Sequence, residues 1–283
     1  MRAPKARRWI TGLAFAGLLA GTAQTVAGAA LPAVEPAPSP AMWSISDEDT
    51  TIFLFGTFHA LDRDTGWFSN VVRAAFNHSD ELVLETVVPS DPAELFASLS
   101  RQSLAGEAKV GEPVIATSRP NSGFVDTSTK AMSAGRSVGM SVDNGADSVL
   151  RREAQSNGKR IDGLESFDFQ LAMFSSLPSP PKSASNPIPG QGDMASAMQT
   201  MKTAWKRGDS THIAAVLGAM EQQSPETYRR LFTERNTRWA EWVARRMQRP
   251  GVVFVAVGSG HLIGRDSVQQ RLTERGYELV RVS

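Results

Sequence analysis

The chain has no cysteine in its 283 residues. That excludes disulfides, thiolate metal ligands and a cysteine nucleophile, so any metal must be held by His, Asp, Glu or backbone oxygen. Histidine is scarce as well, with four in total. No large excess of either charge exists, since 30 basic residues face 29 acidic ones. A comfortable membrane span is also missing: the apolar stretch from Ile10 to about Ala20 is short and diluted by Gly and Thr. What remains is a chain with 41% hydrophobic residues, ample for a packed core in one large domain or two small ones.

The first thirty residues read as a cleaved signal peptide. Arg2, Lys5, Arg7 and Arg8 precede the apolar stretch, and Ala27-Gly28-Ala29 supplies small residues for cleavage. Residues 31–42 read as a Pro/Ala linker, and 43–283 as a single domain. The implied location is periplasmic or secreted. Cleavage removes four basic residues and no acidic ones, leaving 26 against 29, a net −3. Nucleic acid and stable membrane insertion are therefore not expected.

One motif occurs twice. Ile52-Phe53-Leu54-Phe55-Gly56-Thr57-Phe58-His59 is an apolar run that breaks at glycine and delivers a histidine three residues on. Val252 to Val257 followed by Gly258-Ser259-Gly260-His261 does the same. Such runs predict strands buried on both faces, with the glycine permitting a tight turn at the end where α/β proteins bind ligands. Side by side, the two strands would put two imidazoles at one mouth.

The predicted fold is α/β, a central mostly parallel sheet formed by the N- and C-terminal parts with a helical insertion at about 194–248. Thr51–Phe55, Glu81–Glu85, Ile161–Leu164, Val252–Val257 and Glu278–Val282 read as strands. Helices are expected over Thr65–His78, from Asp91-Pro92, over Asp143–Asn157, Phe167–Leu177, Pro225–Gln248 and Ser267–Arg275. Residues 105–130 carry little periodicity and are left unassigned. Pro178–Gly192, rich in Pro, Ser and Gly, reads as a loop.

Glu85 follows Leu82-Val83-Leu84, and a carboxylate inside an apolar strand needs a partner. It reads as a structural salt bridge or as a metal ligand or general base beside His59, one strand over. Glu165 ends Ile161-Asp162-Gly163-Leu164 in the same manner. Arg235 falls on the apolar stripe of Tyr228, Leu231, Phe232, Trp239, Trp242 and Val243, so a buried guanidinium must meet a carboxylate or a ligand anion. Arg246 shares the stripe near the helix end, where it is expected to reach water. Asp62 and Asp64 read as loop residues able to support His59, His78 as a helix-end cap, and His212 as solvated.

These pieces, with Ser79–Glu85, Gly163-Leu164-Glu165-Ser166, Gln170, Trp205–Asp209, Arg235–Trp239 and Val257–Gly264, resemble the TraB/GumN family, related to the Tiki metalloproteases and more distantly to erythromycin-esterase and ChaN-like proteins. The resemblance implies that His59, Glu85, Glu165, Arg235 and His261 converge at one site. It implies a divalent metal ion, Mn, Co or Zn, held by His59 and His261 with Glu85 or Glu165, which lowers the pKa of bound water. The remaining glutamate would act as general base, with Arg235 orienting it or stabilising the oxyanion. The expected function is a periplasmic metal-dependent hydrolase, a peptidase with a peptide or protein substrate. The alternative is a non-catalytic periplasmic binding or accessory protein linked to envelope polysaccharide export. The segment Gly106–Gly139 departs from the family in lacking an aromatic-proline stretch.

Overall fold

A computed structural model describes residues 38–107, 123–178 and 193–283. The expected signal peptide, most of the expected linker, the middle of the unassigned 105–130 stretch and nearly all of the Pro178–Gly192 loop lie outside the described residues.

Six strands form one sheet: β1 (Met42–Ser46), β2 (Thr50–Thr57), β3 (Glu81–Thr86), β4 (Arg160–Glu165), β5 (Gly251–Gly258) and β6 (Val280–Arg281). Their order across the sheet is β4-β3-β5-β2-β1-β6. The four strands from β4 to β2 run parallel, while β1 is antiparallel to β2 and β6 antiparallel to β1. The mostly parallel sheet built from both ends of the chain is thus present. One expectation is corrected: β5 lies between β2 and β3, so Glu85 stands next to the His261 strand and two strands from His59.

Among the described residues ten α-helices accompany the sheet: α1 (Asn70–His78), α2 (Pro92–Glu107), α3 (Gly123–Ser137), α4 (Ala146–Ser156), α5 (Phe167–Ser175), α6 (Met194–Lys206), α7 (Thr211–Gln223), α8 (Pro225–Tyr228), α9 (Glu234–Arg246) and α10 (Val268–Thr273). The apolar run of β5 explains its central place. Phe254 and Ala256 pack on one face with Phe55, Phe76 and Trp205, while Val253, Val255 and Val257 pack on the other with Trp239 and Val243. With period two, both faces are buried, and each such side chain adds about 1.5–3 kcal/mol by leaving water.

Three boundaries differ from expectation. Helix α1 starts at Asn70 rather than Thr65, because Gly66 has φ +59 and Trp67 turns inward to stack on Phe55. A left-handed residue cannot continue a right-handed helix. The final strand is only Val280–Arg281. The long helix expected over Pro225–Gln248 is interrupted by a π-helical turn at Arg229–Thr233 between α8 and α9.

Arg246 does not reach water: it is buried, with its Nε 3.6 Å from Glu81. His78 is exposed in the last turn of α1. His212 is half-buried, and its Nδ1 has no partner among the described residues.

Tyr228 offers a pH test of this packing. Burial pushes its hydroxyl up to about 12, helped by Asp266, whose Oδ2 accepts from it at 3.3 Å. A folded pKa raised above the unfolded value of about 10 adds stability that is complete below that value. It is lost as pH rises towards 12. In a Tyr277→Phe variant, which leaves one tyrosine, ultraviolet titration is expected to give a midpoint near 12; a midpoint near 10 would contradict the buried ring.

Candidate functional site

The carboxyl ends of the parallel strands lie at one edge of the sheet, with Thr57 opposite Gly258 and Thr86 opposite Glu165. The repeated glycines serve space rather than backbone conformation, since neither has a positive φ. A Cβ on Gly56 would stand 2.9 Å from Ser259 Oγ, which donates to the Thr57 carbonyl. A Cβ on Gly258 would stand 3.0 Å from both Glu85 Oε1 and His59 Nε2. The missing side chain is what lets a carboxylate and an imidazole meet at the end of β5.

His261 sits on a 3₁₀ turn at Ser259–Leu262 and is buried between Phe232 and Trp239, with ring centroids 4.9 and 4.3 Å away. Its Nδ1 lies 2.6 Å from Asn236 Oδ1, and Asn236 Nδ2 donates to the Asp266 carbonyl at 2.8 Å. The amide orientation makes Oδ1 the acceptor, so Nδ1 carries the proton and Nε2 its lone pair. Burial pushes the imidazole pKa down to about 3, assisted by Arg235 against Glu85, so the ring is neutral.

His59 differs. Its side chain is 61% exposed, and its Nδ1 is 2.7 Å from Asp147 Oδ2 on the first turn of α4. The Asp147 charge and the hydrogen bond to it push its pKa up to about 9. The loop carrying His59 is tied to this region by Ala146 N–H donating to the Phe58 carbonyl and by reciprocal bonds between Leu61 and Ser141.

Arg235, 3% exposed, joins the site together. Its Nε donates to Glu165 Oε2 at 2.9 Å and its Nη2 to Glu85 Oε2 at 2.7 Å. Its Nη1 lies 3.2 Å from His261 Nε2, and the guanidinium rests on the Trp239 ring at 4.5 Å. Glu85 also accepts from Gly258 N–H at 2.7 Å and Gln170 Nε2 at 3.4 Å. Burial disfavours the Glu85 charge, but Arg235, the charged His59 imidazole and the Gly258 amide outweigh it. They hold the carboxyl well below its usual range. Glu165 has both oxygens occupied, by Arg235 and by Arg238 at 3.2 Å.

All five residues expected at the site therefore converge. Asp62 does not support His59; it pairs with Lys202 and accepts from Thr65. That support comes from Asp147, 88 positions from His59, for which the sequence carries no signal. Asn236 was legible in principle, four after Phe232 and three before Trp239 on the buried stripe.

The donor chemistry fits a divalent ion for three of the four expected ligands. His59 and His261 each hold Nδ1 against an outer acceptor, the arrangement that presents Nε2 to a metal, and Glu85 lies beside both. Glu165 does not fit, because arginines take both oxygens. Among the described residues no three His, Asp or Glu side chains stand at ligating geometry. An ion here would replace Arg235 Nη1 as the partner of His261 Nε2.

A sequence model of the TraB/PrgY/gumN family matches residues 41–110 and 100–281. No curated protein and no solved structure matches the chain significantly.

Proposed function

Because this chain belongs to the TraB/PrgY/gumN family, we propose that it is a periplasmic or secreted metal-dependent hydrolase, a peptidase acting on peptide or protein substrates. The observation that carries this reading is the pair of oriented imidazoles beside a charged Glu85 and a buried Arg235, at the strand ends where α/β folds bind ligands. The signal-like first thirty residues support the location. His59, His261 and Glu85 would hold a divalent ion, which would supply Lewis acidity to the reacting groups.

The chain's own groups do the rest. Neutral His261 keeps its proton on Nδ1, and Asn236 holds the ring in place. Glu85 stays ionised and offers negative charge between the imidazoles. Arg235 Nη1 is a fixed donor at the mouth, suited to an oxygen that gains charge as the scissile carbonyl is attacked. Glu165 and Trp239 hold that guanidinium in position, so Glu165 acts as a positioning residue here.

Elemental analysis of the mature protein, beside a His59→Ala/His261→Ala double variant, tests the reading. Stoichiometric Mn, Co or Zn in the parent and none in the variant is expected. Absence of metal from both, even after reconstitution, would leave the non-catalytic binding reading in its place.

A further inference from the structure

A cavity of about 780 Å³ opens beside the site, within the range of about 300–1,000 Å³ typical of pockets that enclose small ligands. One end holds His59, Glu85, Arg235 and His261. The rest of the lining is mostly apolar, with Met132, Met198, Met201 and Met220 from several helices and Leu217 and Phe232 beside His261. Unbranched thioethers adapt to the shape of an apolar guest.

The wall decides between two kinds of guest. A peptide brings an N–H and a C=O with every residue, and leaving them unpaired against apolar side chains is costly. A hydrocarbon chain brings none. The one buried lining hydroxyl without a partner among the described residues is that of Thr57, at the catalytic end. The cavity's charges are otherwise paired, Arg235 with Glu85 and His59 with Asp147. Arg136, exposed on the rim, has no ion pair among the described residues and suits an anionic group.

We infer that the cavity holds the acyl chain of an N-acylated, anionic substrate, with its amide at the His59–His261 end. This rests on the hydrolase reading for the chemistry, though not for the binding, and places the acyl group of an acylated peptide-type amide, rather than a run of peptide backbone, in the cavity. In the reaction the water oxygen bonds to the acyl carbon and the C–N bond breaks. The acyl half leaves as a carboxylate and the nitrogen takes up both protons of the water, leaving as an ammonium.

Binding is tested by calorimetry on the mature protein with octanoate, decanoate, dodecanoate and tetradecanoate, each beside the matching alkanol. Affinity is expected to rise about fourfold per added methylene until the cavity is full. Met201→Trp on α6 and Met220→Trp on α7 fill the cavity from different helices, and either is expected to weaken dodecanoate roughly tenfold. Arg136→Gln is expected to weaken the alkanoates and leave the alkanols unchanged. Affinity independent of chain length, or short apolar peptides binding more tightly than every alkanoate, would overturn the inference. Release of dodecanoate from N-dodecanoylglycine, lost in His59→Ala, is the expected chemistry. Chain-length-dependent binding without that release would keep the acyl site and overturn the hydrolytic reading.

Discussion

Replacing Arg235 by alanine is expected to lower the unfolding free energy by about 3–5 kcal/mol, the cost of leaving buried charge without its partner. Two carboxylates lose their main cation at once, Glu165 at 4% and Glu85 at 12% exposure. Arg238 still reaches Glu165, but among the described residues Glu85 keeps only Gly258 N–H and Gln170 as hydrogen-bond donors. Lysine is not expected to rescue the variant, because a single ammonium cannot serve Glu85, Glu165 and His261 in the plane that the guanidinium spans. Adding Glu85→Gln and Glu165→Gln to Arg235→Met should recover much of the loss by removing the unpaired charges. Glu85 adds a pH signature. Its folded pKa is depressed, so its contribution is complete above the unfolded value of about 4.3 and disappears as pH falls through the folded value. Urea denaturation measures all of this. A loss under about 1 kcal/mol for Arg235→Ala would mean that water enters and solvates the carboxylates.

For Asp147→Asn the expected effect is on metal affinity, a loss of about 10–100-fold, as for other outer partners of ligating histidines. Asparagine keeps an acceptor for His59 Nδ1 but lacks the charge that raises the imidazole pKa to about 9. His59 is well exposed, so global stability should move by no more than about 1 kcal/mol. Titration with Zn or Mn against a competing chelator gives the affinity, and urea gives the stability. Unchanged affinity would remove His59 from the set of ligands.

The readable parts of this site are those tied to local periodicity. An apolar run buried on both faces announces itself as a central strand, so the pairing of the two Gly-x-x-His segments is legible from sequence alone. Arg235 was readable because a charge in the middle of an apolar helical stripe is costly without a partner. The order β3-β5-β2 was not readable, because strand patterns say which faces are buried and nothing about which neighbour buries them. Arg246 was misjudged for a related reason: its distance from the helix end suggested water, whereas Glu81 of β3 meets it in the interior. The π-helical turn has no signal in a scheme of 3.6-residue spacing. The role of the glycines is not legible, since φ is a local property and the atoms that exclude a Cβ come from the turn after β5 for Gly56, and from β3 and the loop after β2 for Gly258.

The central position of β5 has a consequence for how the molecule comes into being. Ser259 and Thr57 are hydrogen-bonded across 202 positions of chain, so β2 and β3 are made long before the strand that separates them. Contacts this distant in sequence make folding slow, because the loop must close before any pairing compensates for it. Until β5 arrives, β2 and β3 each present an unpaired apolar edge, the kind of surface that draws a nascent chain into aggregates. The same delay means that the two imidazoles do not meet Glu85 together until the chain has been made as far as His261. Loss of the last few dozen residues would therefore remove the middle of the sheet and the site in one stroke.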